Sequence, residues 1–211
     1  MNLTIDKTKY IRYNISNEYI RRGGHPVLDY IVMGMVTETE LTGYDIKKEV
    51  ENSIGNFYRA NYGRLYPALS KLTDQGFLTM REEMQGKRLK KYYKTTELGK
   101  QAFLAWLSSP VDPSASRDAQ LAKIFFYGEL PKELRDQRLQ EYEFFLRQTL
   151  QQLEQIGSTL PSEDLSDIDY FAISTLYYGF QEVYNTLRWF RYIREQKPLS
   201  QFLCKHDELE Q

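Results

Sequence analysis

Between residues 77 and 95 the chain changes its residue types. Two short runs, 77–81 and 89–95, are rich in aromatic and branched residues, and a polar stretch at 82–88 with Gly86 near its tip separates them. That pattern predicts a β-hairpin. The residues around it read as helices. Residues 27–37 are almost wholly apolar apart from Asp29 and predict a short buried helix. After a turn at 38–41, Thr42 and Asp45 form a capping-box-like start for a second helix, which runs to about Ser53 with Tyr44, Ile46, Val50 and Ile54 as its apolar residues and Gly55 as its stop. A third segment, 61–75, carries Leu65, Leu69 and Leu72 at helical spacing and ends at Gly76. Pro67 disturbs it, because a proline ring clashes with the carbonyl four residues earlier, here that of Gly63; the helix either begins near Tyr66 or is kinked in its first turn. After the hairpin, Thr95 or Thr96 caps a fourth helix with Phe103, Trp106 and Leu107 on its apolar side, ending before Pro110.

The second half is all-helical in pattern. Residues 109–116, rich in serine and proline, read as a linker. One helix covers about 117–127, and a longer one starts with Pro131 in its first turn and stops at Gly157. In the longer helix Leu139, Tyr142, Leu146, Thr149, Leu153 and Ile156 step by three and four residues; Ile173, Leu176, Phe180, Val183, Leu187 and Phe190 repeat that step in a last helix, which Ser166 and Asp169 cap. Tyr170, Tyr177 and Tyr184 add a second stripe. A helix apolar over so wide an arc needs partners on more than one side, which an intersubunit bundle supplies. The expected organisation is an N-terminal extension (1–26), a first domain (27–108), the linker (109–116), a helical dimerisation domain (117–198) and a tail (199–211).

Charge divides along the same line. Residues 1–100 hold 17 Lys/Arg against 12 Asp/Glu, whereas residues 101–211 hold 11 against 17, so a basic half precedes an acidic one within a net charge of -1. A basic half suits a polyanion partner. One cysteine, Cys204, and two histidines, His25 and His206, are too few for a disulfide framework or a four-ligand zinc site. The fragment 204–207 reads as a polar tail rather than a metal or thiol site. No apolar run is long enough for a membrane span and the N-terminus lacks a signal-like apolar stretch, so the expected location is cytoplasmic. Signature motifs of serine hydrolases, zinc proteases and nucleotide-binding loops are absent. No enzyme activity and no cofactor are expected.

Helix, helix, turn, helix and basic hairpin is the order of a winged helix-turn-helix. In that arrangement the third helix enters the major groove of DNA and the hairpin lays its cations on the backbone or in the minor groove. Asn61, Arg64 and Tyr66 stand at the start of the third segment, with Lys71 further along; Arg64 could donate two hydrogen bonds to guanine and Asn61 to adenine, although exposed Arg and Asn at a helix start also serve as caps or stay solvated. Lys87, Arg88, Lys90, Lys91 and Lys94 put five cations into the far arm of the hairpin.

Specific motifs extend this reading. GYDI stands at 43–46, GRLYPAL at 63–69, a glycine at 76, and KYYKTTELG at 91–99. In these the chain resembles the PadR family of bacterial transcriptional regulators over about residues 27–107. The resemblance implies a homodimeric winged-helix repressor that binds double-stranded DNA at a palindromic operator and responds to a small aromatic effector. It also implies DNA-facing roles for Tyr44, Gly63, Tyr66 and the wing cations. Two departures stand out: Tyr62 and Arg64 flank the glycine where the family commonly has a small hydroxyl residue, and residues 1–26, with Ile11, Ile15 and Tyr19 at helical spacing, precede the usual family start as a packing helix, a basic arm or a disordered leader.

The candidate sites are therefore a DNA face of Tyr44, Asn61, Gly63, Arg64, Tyr66, Lys71, Lys87, Arg88 and Lys90; a dimer seam of Leu139, Leu146, Leu153, Leu176, Phe180 and Leu187; and an effector pocket of Phe126, Tyr177 and Trp189 with Arg191 for a carboxylate. Aromatics at helical spacing equally well form core or interface. A rival function is a winged-helix protein-interaction module, which would bind DNA negligibly.

Overall fold

The computed structural model describes residues 26–58, 62–160 and 166–200. The expectations for residues 1–25, for Asn61 and for 201–211 lie outside these. Two compact units emerge: the first takes the residues up to 109 and 114–131, the second takes 110–113 and those from 132 onward.

The first unit is built around α1 (Pro26–Met35). Leu28, Tyr30, Ile31, Val32 and Met33 are all buried, because other elements cover the helix on every side. β1 (Leu41–Thr42) leads directly into α2 (Gly43–Ser53), and a 3-10 turn at Tyr62–Arg64 leads into α3 (Leu65–Asp74). The expected apolar residues Ile46, Val50, Leu65, Leu69 and Leu72 are core residues. Tyr44, expected on the apolar side of α2, is exposed instead. Pro67 is third in α3, in the first turn, where no intrahelical N–H bond is lost. Both conflicting demands of its position are thus met by starting the helix at Leu65.

β2 (Leu78–Gln85) and β3 (Arg88–Thr95) form the antiparallel hairpin. β1 pairs with the other edge of β3, Leu41 opposite Tyr93 and Thr42 opposite Tyr92, giving the order β1-β3-β2. The sheet is anchored at its base: Thr95 donates its hydroxyl to the Met33 carbonyl at 2.6 Å and its amide to the Val36 carbonyl at 3.0 Å. α4 (Glu97–Ser108) follows, capped by Thr96, whose hydroxyl oxygen accepts from the Gly99 amide at 3.0 Å. Trp106 stacks on Tyr30 at 4.7 Å.

α5 (Arg117–Phe125) and the 3-10 turn after it belong to this first unit. The expected boundary placed them with the C-terminal helices. Two contacts draw them in. Phe126 packs edge-on against Phe103 at 5.2 Å, and Lys123, itself buried, donates to the Ser109 carbonyl at 2.8 Å and hydroxyl at 2.9 Å, satisfying the end of α4.

The second unit is a helix pair, α6 (Lys132–Gly157) and α7 (Asp167–Arg194). Tyr142 early in α6 meets Phe190 late in α7 at 5.0 Å, and Arg194 reaches Glu143 at 3.2 Å, so the pair is antiparallel. Leu139, Tyr142 and Phe190 are buried, and Leu146, Leu153, Leu176, Phe180 and Leu187 are half-buried. Leu139, at 3% exposure, is spent within the chain's own hairpin of helices, and the half-buried members of the expected seam keep part of their surface. Phe144, Ile156, Tyr170, Phe171, Tyr177, Tyr178 and Tyr184 remain exposed. Among the described residues, no helix is long and apolar enough to cross a membrane.

Candidate nucleic-acid interface

The interface begins at the start of α2. The Thr42 hydroxyl accepts from the Asp45 amide at 3.2 Å and donates to the Asp45 carboxylate at 2.6 Å, closing the predicted cap. Gly43 next to it is where the two helix starts come close. A Cβ there would stand 2.9 Å from the Tyr66 ring and 3.3 Å from Leu69. Glycine lets the first turn of α2 meet the first turn of α3 with the exposed Tyr66 ring left in place.

That contact holds Tyr44 and Tyr66, 67% and 61% exposed, at one groove of about 640 Å³. Its far wall is the wing, through Arg88, Leu89, Lys90, Lys91 and Tyr93. Four of the expected DNA-facing residues, Tyr44, Tyr66, Arg88 and Lys90, thus line a single concavity. Gly63 and Arg64 are exposed in the turn that enters α3, and Arg64 provides no side-chain cap there. Tyr58, just upstream, has its phenol pushed up by burial and then by Asp29 and Asp118, against the opposing pull of Arg64.

Lys71 is a correction. Its ammonium donates to the Asp29 carboxylate at 2.9 Å, and Asp29 is 1% exposed. The side chain joins α3 to α1 and does not belong to the DNA face, because a buried carboxylate in an apolar helix demands a cation.

Lys87 and Arg88 stand exposed at the wing tip, and no acid pairs with Lys87, Arg88 or Lys90 among the described residues. The wing's acids are occupied within the sheet. Lys91 pairs with Glu82 at 3.4 Å. Arg81 binds Glu83, and its Nε donates to Glu40 at 2.7 Å, reaching across β3 with the guanidinium 4.5 Å above the Tyr92 ring. The hydrogen bonds that Arg81 donates to Glu83 and then to Glu40 raise its pKa further. Sequence reasoning missed this staple, because Glu40 lies far from Arg81 along the chain; the alternation of the hairpin could have found the Glu82–Lys91 pair.

The expected effector residues fall in both units. Phe126 is a core residue of the first unit, 2.6 Å from where a Cβ on Gly34 would stand. Tyr177 and Trp189 share α7 but lie twelve residues apart, about 18 Å along a helix axis. Trp189 packs on Phe190 at 5.1 Å, and Arg191 is exposed. Among the described residues, no cluster of three His, Cys, Asp or Glu side chains could hold a metal ion.

Two helix starts set against each other, with a basic hairpin as the opposite wall, define a winged helix-turn-helix unit. Residues 32–105 match the model of the Transcriptional regulator PadR-like family. Over 110 residues, 51% of its length, it is 38% identical to the negative transcriptional regulator PadR of Bacillus subtilis, of which it spans 60%. It also aligns with two crystal structures of Bacillus subtilis PadR. For the complex with operator DNA the identity is 28%, covering 81% of this chain and 98% of that one, with a TM-score of 0.41; for the complex with p-coumaric acid the values are 27%, 81%, 98% and 0.38.

Proposed function

We propose that this chain is a cytoplasmic DNA-binding transcriptional regulator that acts as a homodimeric repressor of a palindromic operator and is released by a small aromatic effector. The observation that carries the reading is the groove: two exposed tyrosines from the starts of α2 and α3 face a wing whose Arg88 and Lys90 have no acid partner among the described residues. Tyrosine hydroxyls donate to phosphate, and the cations gain by releasing counterions from DNA. Arg64, exposed where α3 begins, is the base-reading candidate. Asn61 is proposed beside it from its place in the sequence alone. Repression is supported by the name of the Bacillus relative, a negative regulator.

Dimerisation sets the spacing. Two reading helices about 34 Å apart address successive major-groove faces of a two-fold symmetric site. The exposed Tyr170, Tyr177 and Tyr184, seven residues apart on α7, are the surface we assign to the second copy. An effector that favours one spacing over another shifts the population away from the DNA-bound form.

The experiment is a salt-titrated selection from random duplexes with the wild type and Arg64→Ala, with the oligomer measured by sedimentation and p-coumaric acid added in a second series. Enrichment of a palindrome, relaxed at one position in the variant by about 1–3 kcal/mol of lost discrimination, supports a sequence-reading dimer. No enrichment by a folded dimer at low salt would move the chain to the protein-interaction reading. Unchanged affinity across aromatic acids would remove the effector.

A further inference from the structure

The outer half of the wing carries an apolar pair that the core does not use. Met84 and Leu89 are partners across the hairpin, and they are 62% and 54% exposed. Alternation along the strands puts them on the side that also holds Met80 and Tyr93, and Tyr93 is buried. The pair therefore overhangs the space between the wing and the two helix starts, and Leu89 is itself part of the groove wall. Gly86, at φ +64, and Lys87 close the hairpin in a two-residue turn just beyond it, so the pad sits at the tip.

An occupant of this groove must offer negative charge to Arg88 and Lys90, which have no acid partner among the described residues, and an apolar side to Met84 and Leu89. The groove's one carboxylate, Asp45, is turned to the Thr42 hydroxyl, and Arg88 and Lys90 outnumber it on the groove's lining. A sugar-phosphate backbone has this alternation, with anionic phosphates joined by deoxyriboses whose carbon faces are apolar. We propose that the groove seats the DNA strand lying between the major groove read by α3 and the minor groove entered by the wing, and that Met84 and Leu89 pack on its deoxyriboses. The proposal rests on the DNA-reading function above and adds recognition of the sugar: a 2′-hydroxyl at that strand position would set a polar group against the pad, so the pair discriminates against ribose.

A ribose scan tests this. Duplexes of the selected operator carry a single ribonucleotide at successive positions of one strand and are titrated with wild type, Leu89→Gln and Met84→Gln, each checked for folding by thermal melting. The wild type is expected to lose affinity about fivefold at one or two adjacent positions. Each glutamine variant should bind the all-deoxy operator about fivefold more weakly, keep the wild-type salt dependence because no cation is removed, and show no further loss at those positions. Leu89→Met, which keeps the apolar area on a side chain already tolerated across the hairpin, should retain the ribose penalty and holds the test open if a glutamine variant misfolds. Wild type and variants responding alike throughout the scan would overturn the pad, as would a loss that tracks a base pair instead of a sugar. In both cases the DNA-reading function stands. A wild type with no selective, salt-dependent duplex binding overturns both.

Discussion

Lys71 turns inward because Asp29 is buried among the apolar residues of α1 and needs a cation close by. Breaking such a pair from the lysine side leaves the carboxylate poorly compensated. Lys71→Met should therefore cost about 3 kcal/mol in urea unfolding, toward the lower end for buried pairs because the lysine keeps partial contact with water. Combining it with Asp29→Leu should recover most of that loss. Tyr142 makes a different statement about burial. Desolvation, and then the charge of Asp112, push its phenol well above the ordinary 10.0. A folded-state pKa raised in this way contributes stability that is whole below the unfolded value and is lost as pH rises from there through the folded value. Helicity of the second unit, followed by circular dichroism, should fall above about pH 10, and Tyr142→Phe should remove much of that dependence.

At the scale of elements, the wing divides its charges between holding itself and meeting a partner. Arg81 and Lys91 are engaged by Glu40, Glu82 and Glu83, and Lys87 and Arg88 are not. Replacing Lys87 and Arg88 together by alanine should lower the slope of log K against log salt by about 1.8, whereas Lys91→Ala should change it less. The hairpin was legible in the sequence because runs of aromatic and branched residues on either side of Gly86 are local signals. The caps at Thr42 and Thr96 were legible for the same reason. β1 was not, since a two-residue strand has no period and exists only through its pairing with Tyr92 and Tyr93. The groove was half legible: Tyr44, Tyr66, Arg88 and Lys90 could be named from motif and charge, but the inward turn of Lys71 and the apolar tip at Met84 and Leu89 depend on what folds against what.

For the whole molecule, the leucine steps of α6 and α7 could be read correctly as a helix–helix seam, and yet no property of a 3,4 repeat says whether the second helix comes from the same chain. Here α6 and α7 pair with each other, and the exposed tyrosine stripe is the surface we propose for the second copy beside what the half-buried leucines leave open. The serine- and proline-rich stretch likewise looked like the joint between halves. In the structure the chain leaves the first unit at 109, returns to it at 114 and leaves again only after 131. A fragment of residues 1–109 should melt well below one of residues 1–131, since the shorter piece strips Phe126 from Phe103 and Lys123 from the end of α4. Calorimetry on the two fragments would decide it. The same connectivity bears on how such genes could be recombined: a crossover in the serine- and proline-rich stretch would split a core, and a shuffled regulator that keeps its first unit intact has to exchange its other half beyond Pro131.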